Sequence, residues 1–245
     1  MNTTSFHIGC SGYYYGYWKD RFYPKGMKPA QWLEYYSSVF DTVELNAPFY
    51  RIPQKKALQR YAQQTPDAFK FAVKMNKGIT HLARMKDVQE RVLEFQDILT
   101  DGLGSKLSFC LFQLPGSFRY SEENLERILE NVPHFPHNVV EFRHESWWNP
   151  KVYEALRSAN ITFCNVDYPG LNTPFQLTSS FSYLRLHGSP ELFKSAYSTE
   201  QLSDFLTRIP AGAEGHSIYC NNTYYEAGYQ NAAELVELSK ALHHA

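Results

Sequence analysis

Short runs of β-branched and aromatic residues recur along the chain, and each is followed by a longer stretch in which apolar residues return every three or four positions. The first pattern predicts strands and the second amphipathic helices. Strand cores are predicted at Phe6–Gly9, Thr42–Asn46, Lys70–Lys74, Leu107–Gln113, Val139–Arg143, Thr162–Asp167, Tyr183–His187 and Ser217–Asn221. Helix ends are marked by their usual residues. Pro29 opens a helix running to Phe40, and a second spans Gln54–Gln64 and stops before Pro66. A third runs from Lys86 to the glycines Gly102 and Gly104, which suit a C-terminal cap. Ser121 and Ser198 read as N-caps, the latter with Gln201 three residues on as a capping box. Pro150 starts a further helix, and Ala232–His243 is the last. Between Asp167 and Tyr183 the segment carries two prolines and is too short for a helix, so a loop is expected there.

Eight alternating β/α units without a linker-like break predict one (β/α)₈ barrel domain over residues 1–245, with a short or missing helix between strands six and seven. The typical barrel length of about 250 residues agrees. An open doubly wound sheet is the rival, but no GxGxxG turn follows the first strand.

Alternation within the strands says which side chains face the barrel axis, because the helix-covered face must be apolar. With Val43 and Leu45 outward, Glu44 and Asn46 point in. The same rule turns Lys74, Gln113, Glu141 and Arg143 inward, and on strand seven Arg185 and His187. Polar residues on the inward parity near the C-terminal strand ends lie where barrel enzymes keep their active sites. Asp167 ends strand six, and Asn221 and Asn222 end strand eight, on the same rim.

Composition narrows the classes. The chain has 245 residues, 43% hydrophobic and 16% aromatic, which excludes disorder. A net charge of −1 excludes the global positive field of a nucleic-acid coat protein. Four cysteines with no CxxC spacing argue against a disulfide framework or a cysteine zinc site. Cys110, Cys164 and Cys220 read as small buried hydrophobes, whereas Cys10 ends strand one at the rim and is a candidate for chemistry. The N-terminus lacks the basic and long apolar regions of a secretory signal, and no apolar run approaches the roughly 20 residues of a membrane span. A cytoplasmic protein with no membrane association is expected.

Specific motifs then accumulate in order along the chain: IGCSGYYYGYW at Ile8–Trp18, FYP at Phe22–Pro24, FDTVELNAPFYRIP at Phe40–Pro53, FAVKMNKGITH at Phe71–His81, LFQLPGSF at Leu111–Phe118, VEFRHESWW at Val140–Trp148, YLRLHG at Tyr183–Gly188 and NNTYYEAGYQNA at Asn221–Ala232. Together they resemble the YecE-like family, domain of unknown function 72. The resemblance implies a TIM barrel and no settled activity. Cys10 and Tyr13 stand where that family's first motif has Thr and Trp, and Thr223 stands where its last motif has aspartate.

The expected rim carries Glu44, Glu141 and Asp167 against Lys74, Arg143 and Arg185, a balance that suits anchoring an anion while moving a proton. Glu141 is the first candidate for general base, with Glu44 and His187 as catalytic partners. Lys74, Arg143 and Arg185 would grip a phosphate or carboxylate, helped by Asn46, Gln113, Asn221 and Asn222. Tyr13 and Trp18 offer aromatic platforms for a base or sugar. Should a divalent metal ion be bound, its candidate ligands are His81, Glu141, Asp167 and His187. His144 falls on the outward parity. The leading expectation is a hydrolase acting on a phosphate-containing small-molecule or oligomeric anionic substrate, nucleic acid included, by acid–base or metal-assisted water attack. The alternatives are a glycosidase using Glu44 and Glu141, or a non-enzymatic module binding an anionic ligand or nucleic acid.

Overall fold

Eight parallel strands close on themselves in chain order: β1 (Ser5–Cys10), β2 (Thr42–Leu45), β3 (Lys70–Lys74), β4 (Leu107–Gln113), β5 (Asn138–Glu141), β6 (Thr162–Asp167), β7 (Phe181–Leu186) and β8 (Gly215–Cys220). They belong to a computed structural model that describes residues 5–135, 137–171 and 173–242; His243, expected to end the last helix, lies outside that set. The barrel is ringed by α1 (Trp32–Val39), α2 (Ala47–Tyr50), α3 (Lys55–Gln63), α4 (Gln89–Leu103), α5 (Glu122–Asn131), α6 (Pro150–Ser158), α7 (Thr199–Arg208) and α8 (Ala227–Leu242). The single (β/α)₈ architecture is therefore the one the alternation predicts, including the missing helix between β6 and β7. No described helix is long and apolar enough to cross a membrane.

The strand alternation builds two apolar cores. Outward residues such as Ile8, Val43, Phe71, Val73, Phe112, Val140, Leu184 and Ile218 pack under the helices. Inward residues Ala72, Phe109, Leu111, Val139, Cys164, Val166, Tyr183 and Tyr219 fill the barrel itself. This inner core leaves the C-terminal strand ends to polar side chains.

Helix ends follow local chemistry. Ser121 Oγ accepts from the Asn124 N–H at 3.1 Å, and Ser198 and Gln201 satisfy each other's backbone as predicted. Asn149 caps α6, with Pro150 at its first position. Two sequence expectations change. Pro29 opens a short 3₁₀ turn that leads into α1 rather than the helix itself. Gly102 lies inside α4, and only Gly104, at φ 56°, ends it. Gly102 is required by packing instead: a Cβ there would stand 2.5 Å from Leu58 Cβ of α3. The one-turn helix α2 and a single π turn at Gly78–Leu82 carry no sequence signal of the usual length.

The closeness of α3 and α4 is testable. Gly102→Val is expected to cost about 1–3 kcal/mol by overpacking, a drop of several degrees in thermal melting by circular dichroism. An unchanged melting temperature would contradict the contact.

Candidate functional site

At the inner end of β7, fully buried Arg185 joins two carboxylates from across the barrel. Its Nη1 donates to Glu141 Oε2 at 2.5 Å and its Nη2 to Glu44 Oε1 at 2.7 Å. Tyr183 Oη donates to Glu44 Oε2 at 2.6 Å, and Ser11 Oγ donates to Glu44 Oε1 at 2.7 Å. Arg143 Nε donates to the remaining Glu141 oxygen. All four carboxylate oxygens are thereby occupied. Burial opposes the charge on Glu141, but Arg143 and Arg185 outweigh it and hold the carboxyl well below the usual range.

Arg143 extends the network toward the mouth. Its guanidinium lies 4.3 Å from the centre of the Tyr168 ring, and its Nη2 is 3.1 Å from His187 Nε2. His187 is buried; burial together with Arg143 and Arg185 pushes its pKa well down, so the ring is neutral. Its Nδ1 lies 2.7 Å from Asn221 Nδ2, and its Nε2 faces Glu141 Oε1 at 3.6 Å as well as the Arg143 guanidinium.

Lys74, at the end of β3, is the exception in this network. Its ammonium lies 4.1 Å from the centre of the Phe49 ring, and it makes no hydrogen bond or ion pair among the described residues. Burial and the nearby Arg185 lower its pKa to about 8, against the opposing pull of Glu141 and Glu44. His81 packs edge-on to Phe49 at 4.9 Å, and its Nδ1 is 2.9 Å from Thr80 Oγ1. Burial, Lys74 and Arg143 lower the His81 pKa to about 4, so it is a neutral base at physiological pH. Gln113 is level with Glu141 in the strand register and turns its amide onto the Leu114 carbonyl at 2.6 Å. Asn46 lies just past β2 at the start of α2, half-buried and making no side-chain capping hydrogen bond.

Several expected site residues are elsewhere. Asp167 has the outward parity of β6, where its Oδ2 accepts from Tyr197 Oη at 2.5 Å. Asn222 also turns outward, donating to Ser195 O at 3.0 Å and Asn231 Oδ1 at 2.9 Å. Trp18 is wholly buried against Tyr15, Phe22 and Tyr229, its Nε1 donating to Tyr225 O at 2.7 Å. Tyr13 packs on Tyr36 and Tyr61. Neither is a ligand platform. Cys10 lies in the outer core beside Cys220, and burial raises its thiol well above the usual value. His144 caps a 3₁₀ turn by accepting from Ser146 N. Thr223 is buried beside Tyr15 and Tyr17.

Removing Asp167 changes the charge count. The inward face now holds Lys74, Arg143 and Arg185 against Glu44 and Glu141, with both histidines neutral, and both carboxylates are consumed by guanidinium groups. The surplus positive charge is that of Lys74. The expected metal ligands do not assemble: among the described residues no three His, Cys, Asp or Glu side chains group so as to hold a metal ion. Sequence reasoning missed Tyr183, Ser11 and Tyr168. Tyr183 was readable, since it shares the inward parity of Arg185; the other two lie on loops, where no periodicity applies.

Among known proteins, the model described as "Protein of unknown function DUF72" matches residues 7–245. The chain is 35% identical over 150 residues to UPF0759 protein YunF of Bacillus subtilis, covering 57% of this chain and 52% of that protein. It is 30% identical over 117 residues to UPF0759 protein YecE of Escherichia coli, covering 47% and 43% respectively. The matched stretch thus spans about half the length of these curated relatives. The crystal structure of a DUF72 family protein from Thermotoga maritima superposes with a TM-score of 0.86 at 30% identity, covering 96% of this chain and 99% of that one.

A half-buried ammonium with no direct carboxylate contact is a stability cost. The folded chain releases the Lys74 proton near pH 8, whereas the unfolded chain keeps it to about 10.5, so the charged form is disfavoured by about 3 kcal/mol on folding. Lys74→Met is therefore expected to melt several degrees higher than the wild type below pH 8, the gap closing toward pH 10.5. A variant that melts lower at every pH would show that Lys74 is paired in the folded protein.

Proposed function

The chain belongs to the DUF72 family of proteins of unknown function, and on that premise we propose that its barrel mouth binds a small phosphate-bearing substrate and hydrolyses it by acid–base chemistry. The observation that carries this reading is the surplus cation: Lys74 is desolvated, lacks a carboxylate partner and stands beside Arg143. A dianionic phosphate would supply the missing counter-charge, with bidentate geometry available from Arg143.

The proton carriers are then Lys74 and His81 rather than Glu141. A carboxylate whose oxygens both accept from guanidinium groups has no free oxygen aimed at a water. Glu44, Glu141 and His187 instead position Arg143 and Arg185. In the proposed step a water oxygen bonds to phosphorus and the ester P–O bond breaks. Neutral His81 takes the water's proton, Lys74 gives its proton to the departing oxygen, and solvent restores both. Arg143 holds the charge that accumulates on the equatorial oxygens.

Three alternatives fit less well. A glycosidase needs open space between its two carboxyl groups, and here the Arg185 guanidinium fills the gap between Glu44 and Glu141. Metal-assisted attack lacks a ligand set among the described residues, because Asp167 faces away and Glu141 is already engaged. An extended nucleic acid loses its expected platforms, since Tyr13 and Trp18 pack inward.

Calorimetric titration with inorganic phosphate tests the reading. Saturable binding is expected at pH 7, at least tenfold weaker in Lys74→Met, and weakening as pH rises through 8 because the cation is lost. Against a panel of phosphomonoesters, kcat/KM is expected to rise through about pH 4 as His81 loses its proton and to fall through about pH 8 as Lys74 does. Phosphate binding indifferent to Lys74 would contradict the proposal. Binding without product over hours would leave a receptor in place of a hydrolase.

A further inference from the structure

The wall beside Lys74 is unusual for a solvent-facing loop. Leu82 is 76% exposed and Tyr50 69%, at the tips of the two connections that follow β3 and β2. Solitary exposed apolar residues need no explanation, but Tyr50 is joined to the cation through Phe49, and Leu82 follows His81, which packs on the same ring, in the π turn. Tyr50 meets Phe49 at right angles with ring centres 5.0 Å apart, Phe49 carries Lys74 on its face, and His81, adjacent to Leu82, packs edge-on to Phe49.

The wall is also rigidly built. Asn76 clasps its two halves, donating from Nδ2 to Pro48 O at 3.0 Å and Phe49 O at 3.3 Å while Oδ1 accepts from Gly78 N at 2.9 Å. The π turn is anchored by buried Ile79 and Thr80. The chain then leaves through three left-handed residues, Arg84 at φ 52°, Met85 at 59° and Asp87 at 50°, with Met85 fully buried to hold the path. This backbone is held in an unfavourable conformation while Leu82 is kept in water. From residue 74 to 86 the segment carries Lys74, Lys77, Arg84 and Lys86 and no acidic side chain. Lys77 Nζ lies 5.6 Å from the centre of the Tyr50 ring. An apolar corner with Lys74 and Lys77 against its rings matches an apolar group attached to an anion.

We propose that Phe49, Tyr50 and Leu82 form the subsite for an apolar, aryl-type group joined to the substrate's phosphate, so that the substrate class is an aryl phosphomonoester rather than phosphate on a polyol. The inference rests on the anion reading of the Lys74 site given above. Tyr50 and Leu82 then act as specificity determinants, gaining burial only when such a substrate is bound.

Phenylphosphonate and methylphosphonate, whose C–P bonds survive hydrolysis, separate the two parts of the claim. Calorimetry at pH 7 is expected to show phenylphosphonate binding at least tenfold tighter than methylphosphonate, the gain from burying roughly half a phenyl ring. In the double variant Tyr50→Ser, Leu82→Ser the advantage is expected to fall to within twofold, with methylphosphonate affinity unchanged; both positions are exposed, and that unchanged affinity certifies the fold. Equal binding of the two ligands by the wild type, or an advantage that survives the double variant, overturns the subsite while leaving the anion site standing. If neither phosphonate binds, the anion reading itself falls and takes this inference with it.

Discussion

One buried cation organises the mouth of this barrel. Arg185 is surrounded by side chains on every side, and its charge is tolerable there only because Glu44 and Glu141 meet it from two other strands. The converse also holds: either carboxylate alone in that interior would be uncompensated. Once the bridge is made, the rest follows by counting. Glu141 has one oxygen left, which Arg143 takes, and Arg143 thereby swings its outer face toward Tyr168 and His187. No carboxylate remains for Lys74. Its lack of a direct carboxylate contact is thus a consequence of the bridge, and it is the feature on which the proposed anion binding rests.

Such an arrangement places stability and function in opposition. A structural barrel would fill these positions with aliphatic layers, as the lower inner core of Phe109, Leu111, Val139 and Val166 does. Only the C-terminal end departs from that rule, and it departs in a coordinated way. Its carboxylates serve to hold guanidinium groups, its histidines are kept neutral, and its one loose charge lies against an aromatic face. Local rules violated together in one place, with the surrounding packing intact, are what a binding or catalytic site looks like in an otherwise consistent fold. The 30% identity and full-length superposition with the Thermotoga maritima protein place the barrel scaffold beyond this one chain.

Most of the barrel was legible in the sequence because alternation is a strong signal wherever one face is apolar. Val43 and Leu45 around Glu44, or Leu184 and Leu186 around Arg185, leave no freedom about which residue faces the axis. The reading failed where alternation is absent. In β6, Cys164 and Val166 face in while Phe163 and Asn165 face out, so neither face is marked and Asp167 was taken for a rim residue. Asn222 follows the end of β8, where the strand period no longer applies. Tyr13 and Trp18 show a different limit: composition says that a loop is aromatic, and only the packing says that it consumes its own rings. The four-residue helix α2, with Pro48 near its start, reads locally as a turn, so the packing of Phe49 against Lys74 emerges only from the fold.

The central claim is that Lys74 is an unpaired, desolvated ammonium awaiting an anion, and its own titration tests that most directly. Carbon-13 NMR of lysine-labelled protein, with Lys74→Arg used to assign the resonance, reports the pKa of this one amine. The account predicts a midpoint near pH 8 in the free protein and a clear upward move on saturation with inorganic phosphate. A midpoint near 10.5 that phosphate leaves untouched would mean that the charge is already satisfied, and the anion site would have to be abandoned.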